Sequence, residues 1–182
     1  KPEVMVAALA VGADMINDVR ALEAPGALQA VAESNCGLCL MHMRGMPSTM
    51  QIDPTYAEVV AEVATYLRQR MQAVQAVGID SARVLIDPGF GFGKTLAHNL
   101  ALFKNLAGLA DIAPVLAGVS RKSFLGALTG RATEDRLLPS VIAALLAIQG
   151  GAAVVRVHDV RETVEAIRLW QELGWQELGA QQ

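Results

Sequence analysis

Val84-Leu85-Ile86-Asp87-Pro88-Gly89-Phe90-Gly91-Phe92-Gly93-Lys94-Thr95 is the stretch on which the reading of the fold turns. An apolar run over 84–88 ends in an acid and a proline, and a loop with three interleaved glycines follows. The same unit recurs along the chain. Residues 13–19, 37–43, 114–119 and 153–157 also have strand length and carry few charges before their ends. Those ends are polar: Asn17-Asp18, His42-Met43-Arg44, Ser120-Arg121-Lys122 and Arg156-Val157-His158-Asp159. Near-continuous apolar runs of this kind predict strands buried on both faces. Helical stretches at 25–33, 54–77, 99–109, 135–149 and 160–173 separate them. In the longest, Tyr56, Val59, Val60, Val63, Leu67, Met71 and Val74 recur at helical spacing, with Asp53-Pro54 as the start and Gly78 as the stop. The alternation predicts an α/β chain with a parallel sheet and a single domain over 1–182.

Composition narrows the function. Of 182 residues, 53% are hydrophobic and 18% charged, which excludes a disordered chain. Fifteen basic against 18 acidic residues leave no cationic footprint, so nucleic acid is not an expected partner. Two cysteines are too few for a disulfide framework, which predicts a reducing, cytoplasmic home. The most apolar segment, 137–155, is interrupted by Pro139, Ser140, Gln149 and Gly150-Gly151. It reads as helix, turn and buried strand, not as a membrane span. No signal-peptide pattern follows Lys1. The repeated Trp-Gln-Glu-Leu-Gly at 170–174 and 175–179 reads as a frayed helix end.

The strand ends carry the chemistry. Side chains two apart share a face, which pairs Asn17 with Val19, Asp87 with Gly89, Ser120 with Lys122, and Arg156 with His158. Such groups at the C-terminal ends of parallel strands mark the sites of α/β barrels and open sheets. Arg156 and His158 together offer a planar cationic fork and an imidazole to one anion, a phosphate by preference. An acid closing a buried strand, as Asp87 does, is costly unless it meets a donor, which favours a ligand contact over a plain turn. Gly89 to Gly93 leaves three residues where a Walker loop needs four, so the loop reads instead as one that lets backbone and Phe92 approach a flat ligand. Cys36-Gly37-Leu38-Cys39 has zinc or redox spacing but no second ligand pair, and reads as buried structural thiols with no metal. His42 is open between a hydrogen-bonded structural role and catalysis, while His98 reads as solvated.

Taken in order, Gly12–Asp18, Leu40-Met41-His42-Met43, Asp87–Lys94, Ser120-Arg121-Lys122-Ser123 and Arg156-Val157-His158-Asp159 resemble dihydropteroate synthase. The similarity runs from Lys1 to about Trp170. It implies a TIM-type (β/α)8 barrel that joins 6-hydroxymethyl-7,8-dihydropterin diphosphate to p-aminobenzoate and releases diphosphate. Carried over by residue, Asn17 and Asp87 would hydrogen-bond the polar edge of the pterin, with Val19, Met41 and Phe92 flanking it and Gly118 leaving it room. Lys122 would contact both the pterin and the p-aminobenzoate region, and Phe92 and Ser120 would also lie at p-aminobenzoate. Arg156 and His158 would hold the diphosphate. Lys122, Arg156 and His158 thus stand as the catalytic candidates. The resemblance also implies Mg2+, a homodimer and sulfonamide inhibition.

Lys1-Pro2-Glu3-Val4 is similar to the helix after the family's third strand, so the expected fold is strands 4–8 of the barrel, about five strands. On that alignment the family's metal-linked Asn and its two mobile loops fall outside the sequence. Two other readings stand beside this one. A methyltetrahydrofolate-dependent methyltransferase domain would use similar Asn and Asp contacts but has no diphosphate for Arg156 and His158. A non-catalytic pterin-binding fragment would bind without turnover. The apolar helix at 141–148 is the candidate interface between copies.

Overall fold

The computed structural model describes residues 1–173. Helix α1 (Pro2–Ala10) leads into a parallel sheet of β1 (Met15–Asp18), β2 (Gly37–Met41), β3 (Val84–Asp87), β4 (Val115–Ala117) and β5 (Ala152–Val155), side by side in chain order. The crossovers are α2 (Ala27–Ala32), α3 (Val59–Ala76), the pair α4 (Leu96–Lys104) and α5 (Leu106–Ala110), and the pair α6 (Ser123–Thr129) and α7 (Leu137–Gln149). Helix α8 (Val160–Glu172) follows the last strand. Strands β1 and β5 do not pair, so the sheet is open: five strands of a (β/α)8 barrel, as the sequence predicts.

Strand alternation divides the side chains into two layers. Ile16, Leu38, Leu40, Val84, Ile86, Val115 and Ala117 face the helices and join one apolar core with Val63, Leu67, Leu102 and Leu106. Burying each such Val or Leu contributes about 1.5–3 kcal/mol, which makes this layer the main source of stability. The intervening residues, Asn17, Cys39, Met41, Asp87 and Leu116, point to the other, inner face. Register aligns them, with Asn17 opposite Cys39 and Met41 opposite Asp87.

Several expectations need correction. Burial on both faces holds for β2, β3 and β4 but not at the edges. Met15 on β1 and Val154 on β5 are exposed, because the inner face of an open sheet has no strand across from its edges. Helix α3 starts at Val59 and not at Pro54. Asp53 takes a positive φ of 49°, and the Glu62 carboxylate accepts the backbone N–H groups of Ala57 and Glu58, which sets the helix start later. The helix expected over 99–109 begins at Leu96 and breaks at Asn105, whose side-chain amide donates to the Ala101 carbonyl. Helix α6, seven residues closed by Gly130 at φ 70°, has too short an apolar pattern to be read from sequence. The repeat at 170–179 extends beyond the described residues.

Candidate active site at the strand ends

Two loops interlock at the C-terminal ends of β2 and β3. Gly89, Gly91 and Gly93 all have positive φ (71°, 78° and 63°). A Cβ at Gly89 would overlap the His42 carbonyl, and one at Gly93 the Arg44 carbonyl. Gly89 and Gly93 therefore serve close backbone packing between the two loops, a role the sequence reading did not give them. Asn99 Oδ1 accepts Gly91 N–H (2.8 Å), and Tyr56 Oη donates to the Gly93 carbonyl (2.9 Å).

Asp87 is 1% exposed. Its Oδ1 accepts Gly89 N–H at 2.7 Å, the turn-forming bond, while Oδ2 stands 3.8 Å from Arg156 Nη2. Burial pushes its carboxyl above the usual range; the Gly89 N–H and the cations of Arg156 and Lys122 oppose that rise. Lys122 shares the site. Burial lowers its ammonium pKa, Asp87 raises it and Arg156 lowers it. Lys122 Nζ sits 4.2 Å from the Phe92 ring centre, and its chain passes 3.3 Å from where a Gly91 Cβ would be. Met41 is fully buried in register with Asp87. Asn17 lies one row lower on the same face, exposed, with Val19 40% exposed at the edge beyond it.

Arg156 and His158 lie just beyond the end of β5 and have different partners. Arg156 leans toward Asp87 across Gly118, where a Cβ would stand 3.0 Å from Nη2. Gly118 thus makes room for the guanidinium, beyond the room for a pterin expected of it. His158 Nδ1 lies 3.0 Å from Ser120 Oγ, which also accepts His158 N–H (3.2 Å).

Arg121, between Ser120 and Lys122, adopts a left-handed φ of 58°. Its N–H donates to Ser140 Oγ (2.9 Å), its carbonyl accepts from Arg136 (3.0 Å), and its guanidinium bonds Asp159 at 2.5 and 3.1 Å. The ion pair joins the end of β4 to the end of β5. Sequence reasoning missed Asn99, Lys94 and this pair; the only signal for the pair was the acid ending Arg156-Val157-His158-Asp159.

Of the two roles open for His42, the geometry favours the structural one. It is 6% exposed, edge-on to Tyr66 (5.0 Å), with Nδ1 2.9 Å from Lys94 Nζ. Burial, then the nearby Lys94 charge, brings its pKa down to about 3. His98, half-buried, does more than meet solvent: it completes a capping box with Thr95 at the start of α4, its ring against Tyr56. Cys36 and Cys39 are buried, and burial followed by the Asp87 charge pushes the Cys39 thiol up to about 12.

An open run of parallel strands with a buried acid and several cations at its C-terminal ends defines a site of the barrel-type α/β class. The chain belongs to the pterin binding enzyme family, whose model matches residues 1–158. It is 50% identical over 178 residues to a dihydropteroate synthase of Neisseria meningitidis serogroup B, covering 94% of this chain and 62% of that protein. Among solved structures, the dihydropteroate synthase of Stenotrophomonas maltophilia with active site-bound imidazole superposes with a TM-score of 0.92 at 50% identity. That match covers 95% of this chain and 66% of that one. The Xanthomonas albilineans enzyme in complex with 7,8-dihydropteroate gives 0.89 at 52% identity, over 95% and 64%. The chain thus spans just under two thirds of the length of these relatives.

Proposed function

We propose that this chain is one pterin-binding domain over 1–182, carrying strands 4–8 of a dihydropteroate synthase. In this reading it takes part in folate biosynthesis as a transferase. It joins 6-hydroxymethyl-7,8-dihydropterin diphosphate to p-aminobenzoate, giving 7,8-dihydropteroate and diphosphate. One observation carries the reading most: a buried carboxylate, Asp87, stands 3.8 Å from Arg156 and feels the charge of Lys122, whose ammonium lies against the Phe92 ring. The family match and the complex of a relative with 7,8-dihydropteroate support it.

The residues divide the work. Asp87 Oδ2, free of the turn-forming bond, accepts the pterin's ring N–H and amino donors. Asn17 takes the rest of that edge, Val19 and Met41 flank the ring, and Gly118 leaves it room. Arg156, whose Nη2 stands 3.8 Å from Asp87, holds the diphosphate, and His158 adds a second donor. Holding the leaving diphosphate is an electrostatic task of the oxyanion kind, for which preorganised donors supply most of the effect. Lys122 offsets charge at both substrates, and Ser120 with Phe92 frames p-aminobenzoate, the position a sulfonamide would take as inhibitor.

Magnesium, implied by the resemblance, would be held through the family's metal-linked Asn, which falls outside this sequence, and among the described residues no group of three or more His, Cys, Asp or Glu comes together. The chemistry assigned here needs none of these side chains as a ligand. A cytoplasmic location accords with two buried thiols and with the lack, among the described residues, of any helix long and apolar enough to cross a membrane. A homodimer would use α7, where Leu138, Ile142 and Leu146 are 57, 47 and 49% exposed beside a groove of about 410 Å³.

The test is product formation by this chain alone and by the chain extended at Lys1 with the N-terminal part of a relative. Formation of 7,8-dihydropteroate by the extended form supports the reading. Pterin binding without product in either form favours the non-catalytic fragment, and methyl transfer from methyltetrahydrofolate favours the methyltransferase.

A further inference from the structure

Lys94 is 3% exposed, an unusual place for a lysine, and its partners are all neutral. Its three ammonium protons meet three acceptors: His42 Nδ1 at 2.9 Å, the Gly89 carbonyl at 3.0 Å and the Phe92 carbonyl at 3.1 Å. Burial lowers its pKa to about 7, with the Asp87 charge pulling the other way. Keeping a charge there is costly, and an apolar chain of similar length would fill the space at lower cost. What the ammonium does that an apolar chain cannot is close a loop. Gly89 and Phe92 are the two ends of one turn, since Phe92 N–H also donates to the Gly89 carbonyl (3.1 Å). His42 belongs to the neighbouring strand end. Lys94 therefore ties the turn to β2 from inside. Around it, Gln51 donates to the Gly91 carbonyl and Asn99 accepts Gly91 N–H, so the backbone that carries Phe92 is pinned from both sides. The Phe92 ring in turn lies against the Lys122 ammonium at 4.2 Å.

We infer that Lys94 is a positioning residue for the second substrate, the aromatic amine: it fixes the turn that presents Phe92, and through Phe92 it fixes Lys122. The identity of that substrate rests on the function proposed above; the positioning does not. A proton against an aromatic face is shifted upfield by the ring current, so the Lys122 ε-methylene resonance reports Phe92 directly, without turnover.

The experiment compares the unsubstituted protein with Lys94→Met and with His42→Phe, which removes one acceptor while keeping an aromatic ring. In the unsubstituted protein the Lys122 ε-methylene is expected upfield of its free-lysine position. Lys94→Met is expected to abolish the shift, and His42→Phe to reduce it, so that the second variant carries the test if the first does not fold. In steady-state assays of the form that makes product, the KM for p-aminobenzoate is expected to rise at least tenfold in Lys94→Met. Affinity for bare 6-hydroxymethylpterin should change less than threefold. A folded Lys94→Met that keeps the upfield resonance overturns the positioning, even if it melts at a lower temperature. A lost shift with an unchanged KM overturns the assignment to the second substrate. A lost shift in a protein whose unsubstituted form makes no product still supports the positioning, and the failure then belongs to the proposed reaction.

Discussion

The ammonium of Lys122 rests 4.2 Å from the centre of the Phe92 ring, and the same cation counters the buried charge of Asp87. Lys122 therefore connects the aromatic wall of the site to its only buried acid among the described residues. Removing the charge while keeping the chain, in Lys122→Met, leaves Asp87 with less compensation for its burial. The Asp87 carboxyl, already above the usual range, is expected to titrate at still higher pH. Carboxyl-carbon NMR across a pH series checks this, and an unchanged or lower midpoint refutes the coupling.

Arg156→Ala in the intact protein is expected to remove about 2.7–4 kcal/mol of transition-state stabilisation, the range for one preorganised donor. That is a fall of about 10²–10³ in turnover, at tenfold per about 1.36 kcal/mol. Because Arg156 also stands beside Asp87, bare pterin affinity should fall somewhat as well, but diphosphate affinity at least tenfold more. Arg156→Lys keeps the charge without the fork and should restore only part. Calorimetry with both ligands decides; equal losses would refute the division of labour.

Stability should fall in mild acid through His42. Its folded-state pKa is about 3 against 6.5 for the unperturbed group, so between those values the unfolded chain takes up a proton that the folded chain does not. Stability from this group is complete above pH 6.5 and is lost as the pH falls toward 3, at no more than about 1.4 kcal/mol per pH unit. Urea unfolding of the parent and of His42→Phe between pH 7 and 4 measures it. The parent should lose stability faster than the variant, and parallel curves would exclude the linkage.

Gly89→Ala and Gly78→Ala separate backbone conformation from packing. Both positions have positive φ, 71° and 82°, but a Cβ at Gly78 meets nothing within 4 Å while one at Gly89 overlaps the His42 carbonyl. Gly78→Ala should cost about 1–2 kcal/mol, the left-handed penalty alone. Gly89→Ala should cost clearly more and shift the backbone at His42. Equal denaturation midpoints would mean the two loops are not in close contact.

How far the sequence could be read follows from what each signal depends on. The apolar runs ending at Asp87 and Asn17 announced parallel strands because burial against helices leaves a local pattern, and strand parity then put Asn17 and Asp87 on one face. The exposed edges at Met15 and Val154 were not legible, since burial there depends on what lies opposite, which no local window contains. Lys94 was read only as part of a failed Walker motif and as the last residue of a motif shared with the family, with no role of its own. Its burial arises from His42, 52 positions away, and from a turn whose geometry the glycines permit but do not announce. The Arg121–Asp159 pair spans 38 positions and was hidden for the same reason.

Assignment of the inner face to a pterin is tested most directly by calorimetric titration of 6-hydroxymethylpterin into the intact protein and its Asp87→Ala variant, with the exposed Glu33→Ala as control. Losing hydrogen bonds to a charged acceptor costs about 1.5–3 kcal/mol, or about 10- to 150-fold in affinity. One site per chain, weakened by that factor in Asp87→Ala and unchanged in Glu33→Ala, is the expected result. Parent-like affinity in a folded Asp87→Ala, or no binding to the parent, would contradict it.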